Sequence, residues 1–589
     1  MTSLRATLLY SLTFAAAACA VATQAGMPPA GPPVPDPRIG LRAGYLDAAQ
    51  ASWNLQLVAH RPRPERFFDP AQPGSFAFAN ADLAFSGNYV FQGGFNGIQV
   101  WDISDPRNPR IRSTIICPGG QGDPSVYRNL LFMSVEETRG RLDCGAQGVT
   151  DTVSAERFRG VRIFDISDID RPKSVASVQT CRGSHTHTIV SHPADRANLY
   201  VYVAGTSPPR PGAELAGCSG LPPEQDPNTS LFRIEVIRVP LAAPQEARIV
   251  NMPRIFANAA GNIAGLWPGG AHGEGTQTTA QTNQCHDITA YSAIGLAAGA
   301  CSGNGILLDI RDPVNPRRIA EVSDPNFAYW HSATFSNDGR KVIFTDEWGG
   351  GTAPRCRATD RPQWGANAIY TFENGQLRFQ SFYKLPAPQT AQENCVAHNG
   401  SLIPVPGRDI MVQGWYQGGV SVFDFTDPRR PVEIAFFDRG PLSETQLMLG
   451  GHWSAYWYNG RIYASEIARG LDVLELRPSA HLSANEIAAA QLVRWDYFNA
   501  QDQQRITWPP SFVVARAYLD QLRRNRGLSG RRLTAIARDL ERAERMAGDQ
   551  QRAALTTLAS QLEAEAARAN DATRVRAMAA AVREIANRR

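Results

Sequence analysis

GIQVWDISDPRNPR at 97–110 decides the fold, because the phrase returns as GVRIFDISDIDRPK at 160–173, GILLDIRDPVNPR at 305–317 and GVSVFDFTDPRRPV at 419–432. Each copy is an apolar β run, an Asp able to cap the turn backbone, a Pro-containing turn and a further strand. Pro106, Pro313 and Pro428 fix φ at the turn, and the second Pro blocks helix formation. Self-similarity at this spacing, with four short strands per unit, points to propeller blades. Degenerate copies fill the gaps, giving seven blades over 82–118, 119–180, 181–256, 282–327, 328–387, 395–442 and 447–477. The last supplies only HWSAYWY, RIYASEI and LDVLEL. WNLQLVA at 53–59 is the expected fourth strand, closing the ring and removing a free sheet edge. The expected fold is therefore mainly β: a seven-bladed β-propeller closed by an N-terminal strand, over residues 50–478.

On either side of the repeats the composition changes. Residues 1–25 read as a signal peptide: Arg5 leads an apolar run, and Ala-x-Ala sites end at Ala20, Ala22 or Ala25. The run is shorter than the ~20 residues of a membrane span, and no other segment of the sequence offers one. A Pro-rich linker follows over 26–49. At the other end, 479–510 reads as a linker. Residues 511–589, rich in Ala, Arg, Leu and Glu, read as a small C-terminal α-helical bundle with Ser511, Ser529, Asp549 and Asp571 at helix starts.

The 589 residues are 43% hydrophobic and 19% charged, ordinary for a globular chain. A net charge of +4 on this length carries no nucleic-acid footprint. Nine cysteines become eight once Cys19 leaves with the signal. An even set in an exported protein implies disulfides. The economical pairing ties each loop entering a blade to a nearby turn: Cys117–Cys144, Cys181–Cys218, Cys285–Cys301 and Cys356–Cys395. Sequence alone leaves the connectivity open. The expected location is periplasmic, extracellular or cell-surface.

The DISDP-type phrase resembles that of the LVIVD-repeat family of bacterial and archaeal β-propellers. That resemblance implies an exported or cell-surface propeller and no single activity.

The histidines are the informative residues. GSHTHTIV (His185, His187), QCHDITAY (His286), YWHSATF (His331), VAHNGSL (His398) and GGHWSAY (His452) each open the first strand of a blade. That strand lines the central channel, so five blades are expected to project imidazoles at one height. Strand alternation places His185 and His187 on one face, and Asp287 on the face opposite His286. The turns on this end of the ring hold Glu136, Glu137, Glu347, Trp348, Trp415, Tyr416 and Glu466. Neutral imidazoles converging on a point suit a metal ion. A ring of polar side chains binding water is the other reading.

The axial arrangement also resembles two propeller families that hold a redox metal on axial histidines, the carotenoid-cleaving oxygenases and the selenium-binding protein/methanethiol oxidase family. Glu347, Trp348 and Gly349 match a Ser-Glu-Trp-Gly phrase of the latter. By that analogy copper or iron is expected ahead of zinc. Two function classes follow. One is a metal-dependent oxidative enzyme for a small-molecule substrate, with Glu347 or Glu466 as base and His185, His187, His286, His331, His398 and His452 as the metal set. The other is a non-catalytic surface scaffold for a protein or glycan.

Overall fold

Each copy of the repeated phrase forms the third strand of a four-stranded antiparallel sheet and the turn after it. In the first copy Asp102 accepts the Ser104 amide at 2.8 Å and its hydroxyl at 2.6 Å, and Asp105 then accepts the Arg107 amide at 3.0 Å. The second copy repeats this with Asp165 on Ser167 and Asp168 on Asp170. Two consecutive side-chain-capped turns thus explain why two aspartates recur three residues apart. The leading glycine is equally constrained. Gly97 sits at φ +133°, and a Cβ there would lie 1.9 Å from the Ile115 carbonyl of the neighbouring strand.

A computed structural model describes residues 32–588; the signal peptide expected over 1–25 lies outside them. The fold is mainly β, a seven-bladed propeller with a C-terminal helical segment. Blade one spans the strands Asn80–Ser86 to Arg110–Ile116, and blade two Pro124–Tyr127 to Lys173–Gln179. Blade three runs from His187–His192 to Arg248–Asn251, and blade four from Asp287–Tyr291 to Arg317–Val322. Blade five runs from Trp330–Phe335 to Gln376–Tyr383, and blade six from Asn399–Ile403 to Val432–Arg439. Blade seven contributes His452–Tyr458, Arg461–Glu466 and Gly470–Leu476.

The closing strand is Leu55–Arg61, antiparallel to Gly470–Leu476 with Leu55 opposite Leu476. A second pairing accompanies it. Gln50–Trp53 adds a fifth strand to blade six, with Trp53 opposite Phe436. Asn54 turns the corner between them at φ +56° and donates to the Ile434 carbonyl at 2.9 Å. The N-terminal stretch therefore bridges two blades. Apolar layers between blades form the core; where blade one meets blade seven, Phe85 stacks on Tyr458 at 4.6 Å.

The stretch 479–510, read from composition as a linker, is built into the propeller at the end remote from the histidines. Its helix α1 (Ala484–Ala490) carries a capping box, Ser483 with Glu486. Its strand Tyr497–Asn499 pairs with the outer end of Asn80–Ser86. Asn499 exchanges two hydrogen bonds with the Val126 backbone, and Gln503 two with Phe335. Gln501 and Asp502 are buried there. The segment spans the far end of the ring from blade two to blade five.

Helices α2 (Phe512–Arg524), α3 (Gly530–Glu544), α4 (Gly548–Ala566) and α5 (Ala572–Asn587) share one apolar core that also takes in Ala489 of α1. Ser511, Ser529 and Asp571 cap as expected. Asp549 does not; the α4 cap is Ala547, and Asp549 lies in the first turn. The bundle docks on blade six, where Gln521 donates to the Pro406 carbonyl at 2.9 Å. All four disulfides have the expected connectivity, Cys117–Cys144, Cys181–Cys218, Cys285–Cys301 and Cys356–Cys395, consistent with an exported protein. No helix among the described residues is long and apolar enough to cross a membrane.

Candidate metal centre at the channel mouth

Four of the predicted imidazoles form one continuous row. Ring centroids run His185–His286 at 4.3 Å, His286–His331 at 4.0 Å and His331–His398 at 4.3 Å. The row curves round the mouth of the channel, under a funnel of about 610 Å³. One wall of the funnel is apolar (Phe76, Phe95, Leu449, Trp453 and Ile467), and the other carries Glu136, His185, Thr206 and Ser207.

Each imidazole is oriented by the protein. His185 Nδ1 lies 2.6 Å from Glu136 Oε2, and His286 Nδ1 3.0 Å from Asp287 Oδ1. His398 Nδ1 is held by the Trp453 carbonyl, so this nitrogen carries the proton and Nε2 keeps its lone pair. His331 Nδ1 lies 3.3 Å from Thr345 Oγ1. The Nε2 atoms of His331 and His398 are buried without partners. Both converge on one carboxylate: His398 Nε2 is 3.6 Å from Glu347 Oε1, and His331 Nε2 is 3.9 Å from Glu347 Oε2.

Local structure fixes Glu347. It follows the second strand of blade five, where Asp346 accepts amides from Ala328, Tyr329 and Gly365, tying the turn to the loop that leads into the blade. Tyr416 donates to Glu347 Oε1 at 2.7 Å from a backbone at φ +53°, a costly conformation for an aromatic residue. Gly351 lets that ring approach, since a Cβ at Gly351 would lie 2.2 Å from the Tyr416 hydroxyl.

Burial sets the protonation pattern. It drives His398 down to about 3 and His331 well below its usual value, with neighbouring imidazoles adding to the effect, so both are neutral near pH 7. Burial raises Glu347. At His185 burial acts downward, but Glu136 outweighs it and the net shift is upward; Glu136 is correspondingly lowered.

Two sets of ligand atoms within 4.8 Å of one another could hold a metal ion: His331, Glu347 and His398, and His286, Asp287 and His331. Each has two imidazoles and one carboxylate, where the sequence reading expected three or more imidazoles. Asp287 also departs from expectation. The strand begins at Asp287, so His286 stands in the turn before it, and strand alternation does not separate the two side chains.

The structure does not bring His187, His452 or Glu466 to this row. The blade-three strand begins at His187, which leaves His185 in the preceding turn; His187 lies deeper, with Nδ1 2.8 Å from Ser134 Oγ. At His452 a bulge before Ser454 turns the imidazole into its blade, 2.9 Å from Asp472, and Trp453 takes the funnel position. Glu466 is fully buried, accepting from the Gly451 and Arg469 amides and the Arg469 guanidinium. Among the aromatic turn residues, Tyr416 reaches the funnel. Trp415 is core, and Trp348 packs on Trp364 and Arg355. Sequence reasoning named Glu136 without a role and passed over Tyr329, which packs edge-on against His286 at 5.8 Å.

No family model and no characterised protein matches this sequence. Similar solved structures include the Dos1 propeller (11% identity, 67% of this chain and 77% of that one, TM-score 0.35). A periplasmic gluconolactonase of Pseudomonas aeruginosa is 14% identical over 67% of this chain and 99% of its own, TM-score 0.38. A Kuenenia stuttgartiensis hydrazine synthase is 11% identical over 66% and 92%, TM-score 0.41. At these identities and scores none assigns an activity to this chain.

Proposed function

We propose that this protein is an exported metalloenzyme whose centre is His331, His398 and Glu347, acting oxidatively on a small substrate in the funnel. The observation that carries this reading is the convergence of two buried, neutral, unpartnered Nε2 atoms on one buried carboxylate. An imidazole kept neutral has its ligand form ready, and leaving its lone pair buried without a partner is unfavourable. Two imidazoles and a carboxylate with open positions are the donor set of non-haem iron(II) centres and of some zinc enzymes. Iron is therefore the first expectation, with copper and zinc behind it. His286 and Asp287, which form a second candidate set with the shared His331, would complete or exchange the ligands of such an ion.

When bound, the metal supplies Lewis acidity and oxygen activation. The remaining tasks fall to the chain. Tyr416 holds Glu347 in place and helps keep its carboxylate charged. With Glu347 serving the metal, His185 and Glu136 are the pair placed to hold and pass a proton at the mouth, 2.6 Å apart and facing the funnel. Phe76, Phe95 and Trp453 would seat an apolar part of the substrate and exclude water from that side.

The decisive experiment is metal analysis of the purified mature protein beside a His331→Ala/His398→Ala double variant. Near-stoichiometric iron or copper, lost in a variant whose circular dichroism is native, supports the reading. A wild-type protein free of metal, with unchanged stability on adding iron(II), copper(II) or zinc, refutes it.

A further inference from the structure

Further along the innermost strands lies a second set of buried polar groups that the proposed metal centre does not use. Asp82 lies on the first strand of blade one, Asp123 just precedes that of blade two, and Asn399 opens that of blade six. Ser454 and Tyr456 lie on that of blade seven. Their exposures are 1%, 0%, 5%, 0% and 0% in that order. Asn399 Nδ2 donates to Asp82 Oδ2 at 2.9 Å, and the Leu83 amide donates to Asp82 Oδ1 at 2.8 Å. Asn399 pairs with Ser454 across the seam between blades six and seven, the Ser454 and Tyr456 hydroxyls act to lower the Asp82 carboxyl, and after burial it is the charge of Asp82 that raises the Asp123 carboxyl most.

Five oxygen atoms of this cluster have no hydrogen-bond partner: both carboxylate oxygens of Asp123, Asn399 Oδ1, Ser454 Oγ and Tyr456 Oη. Three of these, both Asp123 oxygens and Asn399 Oδ1, can only accept, and buried acceptors without donors beside two carboxylates that repel one another are unfavourable. A cation resolves both problems. The donors are all oxygens, which selects a hard ion over the softer metals that imidazoles prefer. This set of five oxygen-bearing side chains exceeds the four ligands of a tetrahedral site. It suits an ion that takes about six to eight oxygens at about 2.3–2.6 Å, water among them.

We propose that Asp82 and Asp123, with Asn399, Ser454 and Tyr456, bind one hard divalent cation of the calcium class on the propeller axis. This site is separate from the imidazole row and shares no residue with it. It would join blades one, two, six and seven across the channel, including the junction that the N-terminal strand closes. Burial lifts Asp82 to about 6 and Asp123 well above its usual value, so protons would compete with the cation as pH falls.

The test uses the full mature protein after chelator treatment, with calcium as the probe, read by equilibrium dialysis and thermal unfolding. Wild type is expected to bind about one equivalent and to melt several degrees higher in about millimolar calcium, as preferential binding to the folded state requires. Asp123→Asn should bind at least about tenfold more weakly and show no calcium-dependent shift. The milder Tyr456→Phe, which keeps every charge, should weaken binding by a few-fold and covers the case in which Asp123→Asn does not fold. The His331→Ala/His398→Ala variant should still take up calcium. Two results overturn the proposal: folded wild type neither binding calcium nor shifting its melting point, or calcium binding unchanged in both Asp123→Asn and Tyr456→Phe.

Discussion

Replacing Asp472 by Asn should destabilise the propeller severely while leaving the imidazole row intact. The Asp472 carboxylate is fully buried and takes four contacts. Arg439 grips it with both terminal nitrogens, His452 Nε2 lies 2.9 Å from Oδ2, and His60 Nδ1 lies 2.8 Å from Oδ1. These partners come from blade six, blade seven and the closing strand, so the carboxylate is where the ring is fastened. Asp472→Asn removes the charge and leaves the buried Arg439 guanidinium uncompensated, which costs about 3–5 kcal/mol. For a domain of this size about 2 °C of melting temperature follows each kcal/mol, so a fall of about 6–10 °C is expected by calorimetry. The pH dependence has a definite sign. Burial would raise Asp472, but Arg439, His452 and His60 outweigh it and hold the folded-state pKa well below 3.8. A depressed carboxylate contributes stability that is present above its unfolded pKa and is lost as pH falls through the folded one. The difference between wild type and Asp472→Asn should therefore be full above about pH 5 and shrink below about pH 4. A melting point within about 2 °C of wild type near pH 7 would refute the fastening argument. Loss of bound transition metal with stability unchanged would return His452 to the ligand set.

Three further outcomes are expected. Tyr416→Phe removes the donor to Glu347 Oε1 and should weaken transition-metal affinity about tenfold or more without changing the fold, as competition with a chromophoric chelator would show. Gly97→Ala forces a Cβ against the Ile115 carbonyl at a positive φ and should cost about 1–3 kcal/mol in denaturant melts, whereas Gly87→Ala, in an open turn, should cost less. Deleting 50–61 bares the edges of Gly470–Leu476 and Val432–Arg439 and should give an aggregating protein in size-exclusion chromatography.

The repeated phrase made the blades legible because its chemistry is local: Asp102 and Asp105 cap turns two residues ahead, and Gly97 is needed by a neighbour on the adjacent strand. The closing strand was legible too, since blade seven visibly lacks a partner. The site was only partly so. Placing every histidine at one height assumes that each strand begins at its histidine and alternates without fault. His185 and His286 stand in turns, where alternation does not hold, and the bulge beside His452 reverses the face. Such a bulge has no signature in GGHWSAY. The role of 479–510 was hidden for a different reason. Asn499 and Gln503 act through side-chain amides that bond the backbone of residues far away in sequence, and a polar stretch that caps a channel reads like a polar stretch that spans a gap.

The fastening at Asp472 joins residues 412 positions apart. The closing strand Leu55–Arg61 leaves the ribosome early, yet its permanent partner lies in the last blade to be made. Until that blade arrives, the early strand has nowhere to settle and blade seven has an open edge. The ring therefore cannot close until Leu476 has emerged, when most of the chain has been made. If such a chain is exported, staying unclosed until its final blade is complete keeps it open to threading through a translocation channel, with its four disulfides formed on the far side.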